Sequence, residues 1–502
     1  MVSRRREFLG SVQRALQPGL KRRSFASALR LETLEDRTVP STFVVTNAND
    51  AGAGSLRQAI LNSNARHGAN TIVFRIKGPT VIHLQSALPA ITNTVTIDGS
   101  TERGFQGQPV VVLDGTLAGA AANGLTVESA RTRIRYLEIE NFQGNGILIN
   151  GPAASFTRVV GDEIFSNGLS GVAIHNSANN VIGAAGRGDV ISHNMGDGVF
   201  ITGAGSTHNQ VADDFIGTTS DGSAAWGNGR NGVELAQGAS SNTVSNNVIG
   251  GNTGTGVWIH DAGSAKNTVR ANYVGTNAAS AMGLGNGANG VAIGNGASNN
   301  AVVGGNVVGC NTGTGVYLFG TGTTGNTVSG NFLGTDKTGT LALGNTLRGV
   351  DVRNGANGNT IGGSSATAAN LIAFNGDYGV LVDNASQNAI LSNSIYGNTV
   401  AGIGLFDGAN NNQTAPVLNS AAVSGLATAL SGTVTNVNTS VHLQVFKDTP
   451  NGQVLVYSGL VTTDANGNFN VQLSGVASGD VLTATATVGQ NTSQFAGEVT
   501  AA

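Results

Sequence analysis

The chain has 502 residues and a formal net charge of −3, which gives no general attraction to nucleic acid. With 75 Gly and only 11% charged residues, the composition of the chain as a whole argues against helical bundles. It suits short stacked strands with tight corners. The one cysteine, Cys310, excludes an intramolecular disulfide; it stands where the preceding repeat has Gly251 and reads as corner packing rather than a nucleophile.

Residues 1–41 carry Arg4, Arg5, Arg6, Lys21, Arg22, Arg23 and Arg30 and end in LETLEDRTVPS. No apolar run there is long enough for an ordinary signal-peptide core or a membrane span, so the segment reads as a basic, disordered arm. Residues 42–145 read as an N-terminal cap with irregular coils. Thr42–Thr46 is a strand, and Gly54–Asn64 switches to helical period, with Leu56, Ala59, Ile60 and Ser63 on one face. Such a helix suits the open apolar end of a stack. Short strands follow at TIVF, VIHL, VTIDG, VVLDG and IRYLEIENF.

Residues 146–412 are a repeat array. NTVSNNVIGGNTGTGVWI (Asn242–Ile259) almost recurs as NAVVGGNVVGCNTGTGVYL (Asn300–Leu318), with three strands per unit and Asn or Gly at the corners. One unit has too few apolar residues for a core of its own and must stack on copies of itself. The Asn residues read as amides hydrogen-bonded from coil to coil. Three longer coils contain a twelve-residue insert, each expected to tuck in one apolar residue: Trp226, Leu284 and Leu343. Residues 415–502 alternate apolar and polar positions, as in a small antiparallel β-sandwich, with DANGN (Asp464–Asn468) as a hairpin turn.

Coils of this size with three strands match a right-handed parallel β-helix solenoid. Over roughly residues 43–412 the pattern resembles planctomycete-type secreted repeat proteins of the pectin-lyase-like superfamily. LGTDKTGTLALGN (Leu333–Asn345) carries that resemblance best, with the L-E-x-L-E-x-R motif at Leu31–Arg37. The stretch TNANDAGAGSLRQAI resembles a CSLREA-type region, with Gly54 in place of its cysteine, and the C-terminal module resembles immunoglobulin-like ends of secreted repeat proteins. The resemblance implies an all-β fold and export to the cell surface or beyond, and it fixes the fold more than the activity; the ligand expected of the chain is a polysaccharide or another envelope component. Arg75-Ile76-Lys77 and Asp213-Asp214 are reminiscent of polygalacturonases, but their order is reversed and no G-H-G is present, so that reading fails.

Candidate residues lie between the inward pair of each G-V-x-I strand, where alternation turns x outward. Phe200, Trp258 and Tyr317 then stand on alternate coils, roughly 10 Å apart, with Glu234 and His260 beside them. That is a stacking platform for a sugar chain, unless the long inserts cover this face and bury the rings. No catalytic constellation stands out: Asp351, Arg353 and Asp383, with Glu234 and His260 secondary, are the residues a lyase or glycoside hydrolase would use, but an Asp–Arg–Asp surface ladder explains the three with no chemistry. Glu163, Asp189 and Asp214 share a corner column, with Asp162 and Asp213 adjoining. Like charges there suit Ca²⁺, or point into water. The expectation is a binding, adhesion or structural protein, with a polysaccharide lyase or hydrolase as the alternative and a passive spacer as a third reading.

Overall fold

A computed structural model describes residues 40–449 and 452–502, so all but the last two residues of the basic segment lie outside it. Three long parallel sheets form the body. Sheet A has 13 strands, from Thr42–Val45 to Ala389–Leu391; sheet B has 12, from Val81–His83 to Ser394–Tyr396; sheet C has 11, from Leu125–Val127 to Ile403–Phe406. The chain visits A, B and C in turn, so each strand pairs with its counterpart one coil away. Strands as short as Val248–Ile249 persist because they pair on both sides, with Phe215–Ile216 and Tyr273–Val274.

The V-x-I alternation sends one residue set inward. Val244, Ile249, Val257 and Ile259 of one coil are all at most 1% exposed, and such residues continue down the stack as one core. The corner between sheets A and B needs a left-handed residue: Asp213, Asn246, Ala271 and Gly330 occupy it at φ 66°, 60°, 54° and 66°. Only Gly escapes the Cβ clash there, and Asn and Asp bear it best, hence their recurrence. Cys310 takes such a position at φ 59°, where Gly251 has 71°. Burial pushes its thiol up, consistent with packing rather than nucleophilic chemistry.

Asparagine columns run down all three corners. One runs from Asn180 to Asn410 ahead of sheet A, one from Asn167 to Asn398 ahead of sheet C, and one between sheets A and B. In each, a side-chain Oδ1 accepts both the main-chain N–H and the Nδ2 of the residue one coil earlier. Asn247 to Asn272, with both bonds at 3.0 Å, is typical. The corners thereby satisfy buried backbone groups that no sheet reaches.

The helix Leu56–Asn64 forms as the spacing predicts. Ser55 caps it by accepting from the Gln58 N–H, and Leu56, Ala59, Ile60 and Ser63 are buried on the first coils. At the other end two antiparallel sheets share a second core, one of three strands and one of five. They close the last coils: Ser392 N–H donates to Gln444, Ile390 N–H to Thr492, and the Asn410 amide to the Thr492 carbonyl. The turn at Asp464–Asn468 forms, with Asp464 accepting from the N–H groups of Asn466 and Asn468. It is not a strand-pairing hairpin: Gly452–Thr462 pairs with Ser440–Thr449, while Asn468–Ser474 pairs with Ala427–Thr433 in the other sheet.

Candidate functional site

Sheet C presents three outward columns. The first lies just before each strand and includes Asn145, Asp197, Asn231, Arg348 and Tyr378. The second holds x of each G-V-x-I strand. The third, two residues further on, holds His175, His260, Phe319, Arg353 and Asp383. Register is strict: Phe200 pairs with Glu234, Glu234 with Trp258, Trp258 with Ala292, Ala292 with Tyr317 and Tyr317 with Asp351. The three aromatic residues therefore stand on alternate coils, as the spacing predicts. The Gly that opens each strand is sterically required: a Cβ on Gly256 would meet the Gly290 carbonyl at 2.6 Å.

The inserts do not lie over this face. Each closes on itself, through Thr218 with Ala225, Thr276 with Gly283 and Thr335 with Ala342. They pack on sheet B: Lys337 donates to the Tyr273 hydroxyl at 2.9 Å, Tyr396 donates to the Gly339 carbonyl at 2.6 Å, and Gly222 backs onto Phe215. Leu284 and Leu343 are tucked in as expected, but Trp226 remains 40% exposed against Phe165 and His193. On sheet C the rings pack sideways across the columns instead. Trp258 stacks on His260 at 3.9 Å and 25°, and Tyr317 on Phe319 at 4.7 Å and 13°. His175 meets Phe200 edge-on beside a groove of about 270 Å³.

Polar groups converge between Phe200 and Trp258. The Asn231 amide donates to Asp197 at 3.0 Å and to Glu234 at 2.8 Å, and Glu234 contacts His260 at 3.1 Å, with Asp261 on the other ring nitrogen. Burial and the Glu234 charge push Asp197 up to about 6. Burial acts the same way on Glu234, but the His260 hydrogen bond and charge outweigh it and hold that carboxyl below its ordinary range. Burial opposes protonation of His260, yet Glu234 and Asp261 raise it. Asp197 and Asn231 were not among the sequence candidates. A polar residue recurring just before the strand glycine was the available signal.

Asp351, Arg353 and Asp383 also come together, but not as a surface ladder. Asp351 is 3% exposed, so the expected solvated acid is a buried one. Arg353 reaches Asp351 at 2.8 Å and Asp383 at 3.7 Å, while Arg348 reaches Asp351 at 3.5 Å and Asp377 at 2.6 Å. Burial raises the Asp351 carboxyl and the two guanidiniums oppose it. Two arginines hold Asp351 in place, and burial still leaves its carboxyl above the ordinary value.

The corner column of acids differs from the sequence reading in two ways. Its members are Asp162, Asp189 and Asp214, leading into Asn247; Glu163 faces outward on sheet B opposite Glu138, and Asp213 occupies the left-handed corner. These three aspartates do not point into water, being at most 1% exposed. Each Oδ1 accepts a main-chain N–H, from Leu137, Asp162 and Asp189 respectively, while Oδ2 of Asp214 has no partner. Burial lifts all three, and Asp189 reaches about 7. No group of three or more His, Cys, Asp or Glu side chains among the described residues has metal-holding geometry.

Residues 187–333 match the family described as "Right handed beta helix region". The solenoid is a right-handed parallel β-helix. No curated protein matches the chain. Among solved structures, the Azotobacter vinelandii mannuronan C-5 epimerase AlgE6 A-module is 14% identical with a TM-score of 0.43, covering 73% of this chain and 98% of that one. A double mutant of the periplasmic alginate epimerase AlgG is 15% identical at 0.35, covering 66% and 67%. The enzymatically active domain of bacteriophage CBA120 tailspike protein 2 is 11% identical at 0.29, covering 90% and 75%. These likenesses concern winding of the chain, and no residue role passes through them.

Proposed function

We propose that this is an exported or cell-surface protein whose sheet C face binds a polysaccharide or related envelope glycan. The supporting observation is that the inserts lie over sheet B, leaving Phe200, Trp258 and Tyr317 in line and half-buried on a face that no insert covers. Aromatic rings at a two-coil interval, roughly 10 Å, suit the apolar faces of successive sugars. The Asp197–Asn231–Glu234–His260 array between them supplies donors and acceptors for hydroxyl groups. Export accords with the N-terminal resemblance, and no described helix is long and apolar enough to cross a membrane. Ca²⁺ at the aspartate column remains a separate proposal, addressed by a chelator experiment below.

Trp258→Ala is expected to weaken glycan retention about tenfold, the loss of one aromatic platform, with thermal midpoint nearly unchanged because the ring is outside the core. Retention on a glycan array by wild type and variant measures this; equal retention would sink the reading. One observation favours the enzymatic alternative, a lyase or hydrolase. Asp197 and Glu234 share the Asn231 amide yet are pushed in opposite directions, as an acid and its partner base would be. Turnover of a retained glycan, abolished by Asp197→Asn with binding intact, would establish it. Binding without turnover would leave the face a receptor.

A further inference from the structure

Sheet A is nearly uncharged along its outer face, except at its early coils. There Arg133 lies directly opposite Arg158 in the adjoining strand. Arg135 follows on the same face, Arg187 joins from the loop after Val181–Ile182, and with Tyr136 they line a groove of about 210 Å³. One carboxylate answers these four cations, Asp98 at 2.6 Å from Arg135. Arg133, Arg158 and Arg187 have no ion-pair partner among the described residues. The Arg135 Nε is buried without a hydrogen-bond partner.

Folding does not call for this arrangement. Like charges directly opposite on neighbouring strands destabilise a sheet, and flanking coils fill the same register with Thr96, Val181, Gln210 and Thr243. Nor is the groove part of a general positive surface: residues 40–502 hold 17 Lys and Arg against 25 Asp and Glu. Sheet C differs again, because Arg348 and Arg353 there are already engaged by aspartates.

We propose that the groove of Arg133, Arg135, Arg158 and Arg187 is an oxyanion site that takes the carboxylate or sulfate group of an acidic sugar. Guanidinium forks match such groups through paired N–H donors, and an incoming anion removes the repulsion between Arg133 and Arg158. The groove is one sugar unit in size, and a body of net negative charge disfavours a long duplex nucleic acid. The site is separate from the sheet C face, so the two bind independently.

The test uses the full chain, with inorganic sulfate, a uronic acid trisaccharide, a sulfated disaccharide and duplex DNA as probes, read by titration calorimetry and thermal shift. At least one acidic sugar is expected to bind, with inorganic sulfate competing. Arg133→Ser/Arg158→Ser should weaken binding about tenfold or more, whereas Arg270→Ser, an exposed residue on a later coil of the same sheet, leaves it unchanged. Without ligand the double variant should melt no lower than wild type, since both side chains are exposed and repel each other. Binding of inorganic sulfate alone, lost in the double variant, would support the oxyanion site and identify a free anion as its occupant. Retention of DNA in preference to both sugars would overturn the sugar assignment. Binding unchanged in the double variant, or no binding of any probe, would overturn the site.

Discussion

Asn272→Ala is expected to cost about 3–5 kcal/mol, the loss of several buried hydrogen bonds whose partners stay behind. Its Oδ1 accepts from the Asn247 N–H and amide, and its own amide donates to the Val244 carbonyl at 2.9 Å and the Asn306 Oδ1 at 3.0 Å. The site is fully buried, so water does not replace what alanine removes. Asn246 provides the contrast. It is exposed and holds the left-handed corner at φ 60°, and Asn246→Ala there costs only the backbone penalty, about 1 kcal/mol. In a solenoid the damage passes to nearest neighbours, so hydrogen exchange should quicken first in the coils holding Asn247 and Asn306. Equal destabilisation by the two variants would show that the column carries no special load.

These two asparagines also show what the sequence discloses. The N-N-V-I-G register marks corner and strand because side chains must alternate in and out, and periodicity therefore reads the coils, the helical cap and the aromatic column correctly. Where it misplaces a residue, the register has slipped by one: Asp162 stands two residues before Ile164 as Asn247 stands before Ile249, so Asp162 and not Glu163 enters the column, and a one-residue slip changes the face. The inserts are a different matter. A closed twelve-residue loop between sheets B and C can fold over either, and nothing local to Lys337 or Gly339 announces that they meet Tyr273 and Tyr396 of sheet B. Asp197 and Asn231 escaped because a polar residue in a Gly-rich run looks like turn chemistry. The Asp464–Asn468 turn is legible, but alternation does not say which sheet its flanking strands will join.

Asp214→Asn should stabilise the protein at neutral and alkaline pH, by about 1–3 kcal/mol at pH 8. In the wild type, burial raises Asp162, Asp189 and Asp214 together. Asp189 titrates near 3.8 when unfolded and near 7 when folded. Between those values the unfolded chain releases a proton that the folded chain keeps, so stability falls as pH rises from about 4 to about 7 and levels off above. Asp162 and Asp214 act in the same direction. An amide at 214 removes one of these charges and gives the partnerless Oδ2 position a donor that can reach Asn247, as Asn247 reaches Asn272. Denaturation from pH 3 to pH 8 should therefore show a shallower decline in the variant, with the two proteins converging towards pH 3, below the ordinary carboxyl value of 3.8, where wild-type Asp214 is mostly protonated whether folded or not. A wild-type profile that is flat over this range would contradict protonated aspartates in the column. The same titration, repeated with Ca²⁺ and with a chelator, decides what neutralises the acids. If protons do, neither addition moves the midpoint at pH 8. If Ca²⁺ raises it in wild type and not in Asp214→Asn, a bound cation takes the place of those protons.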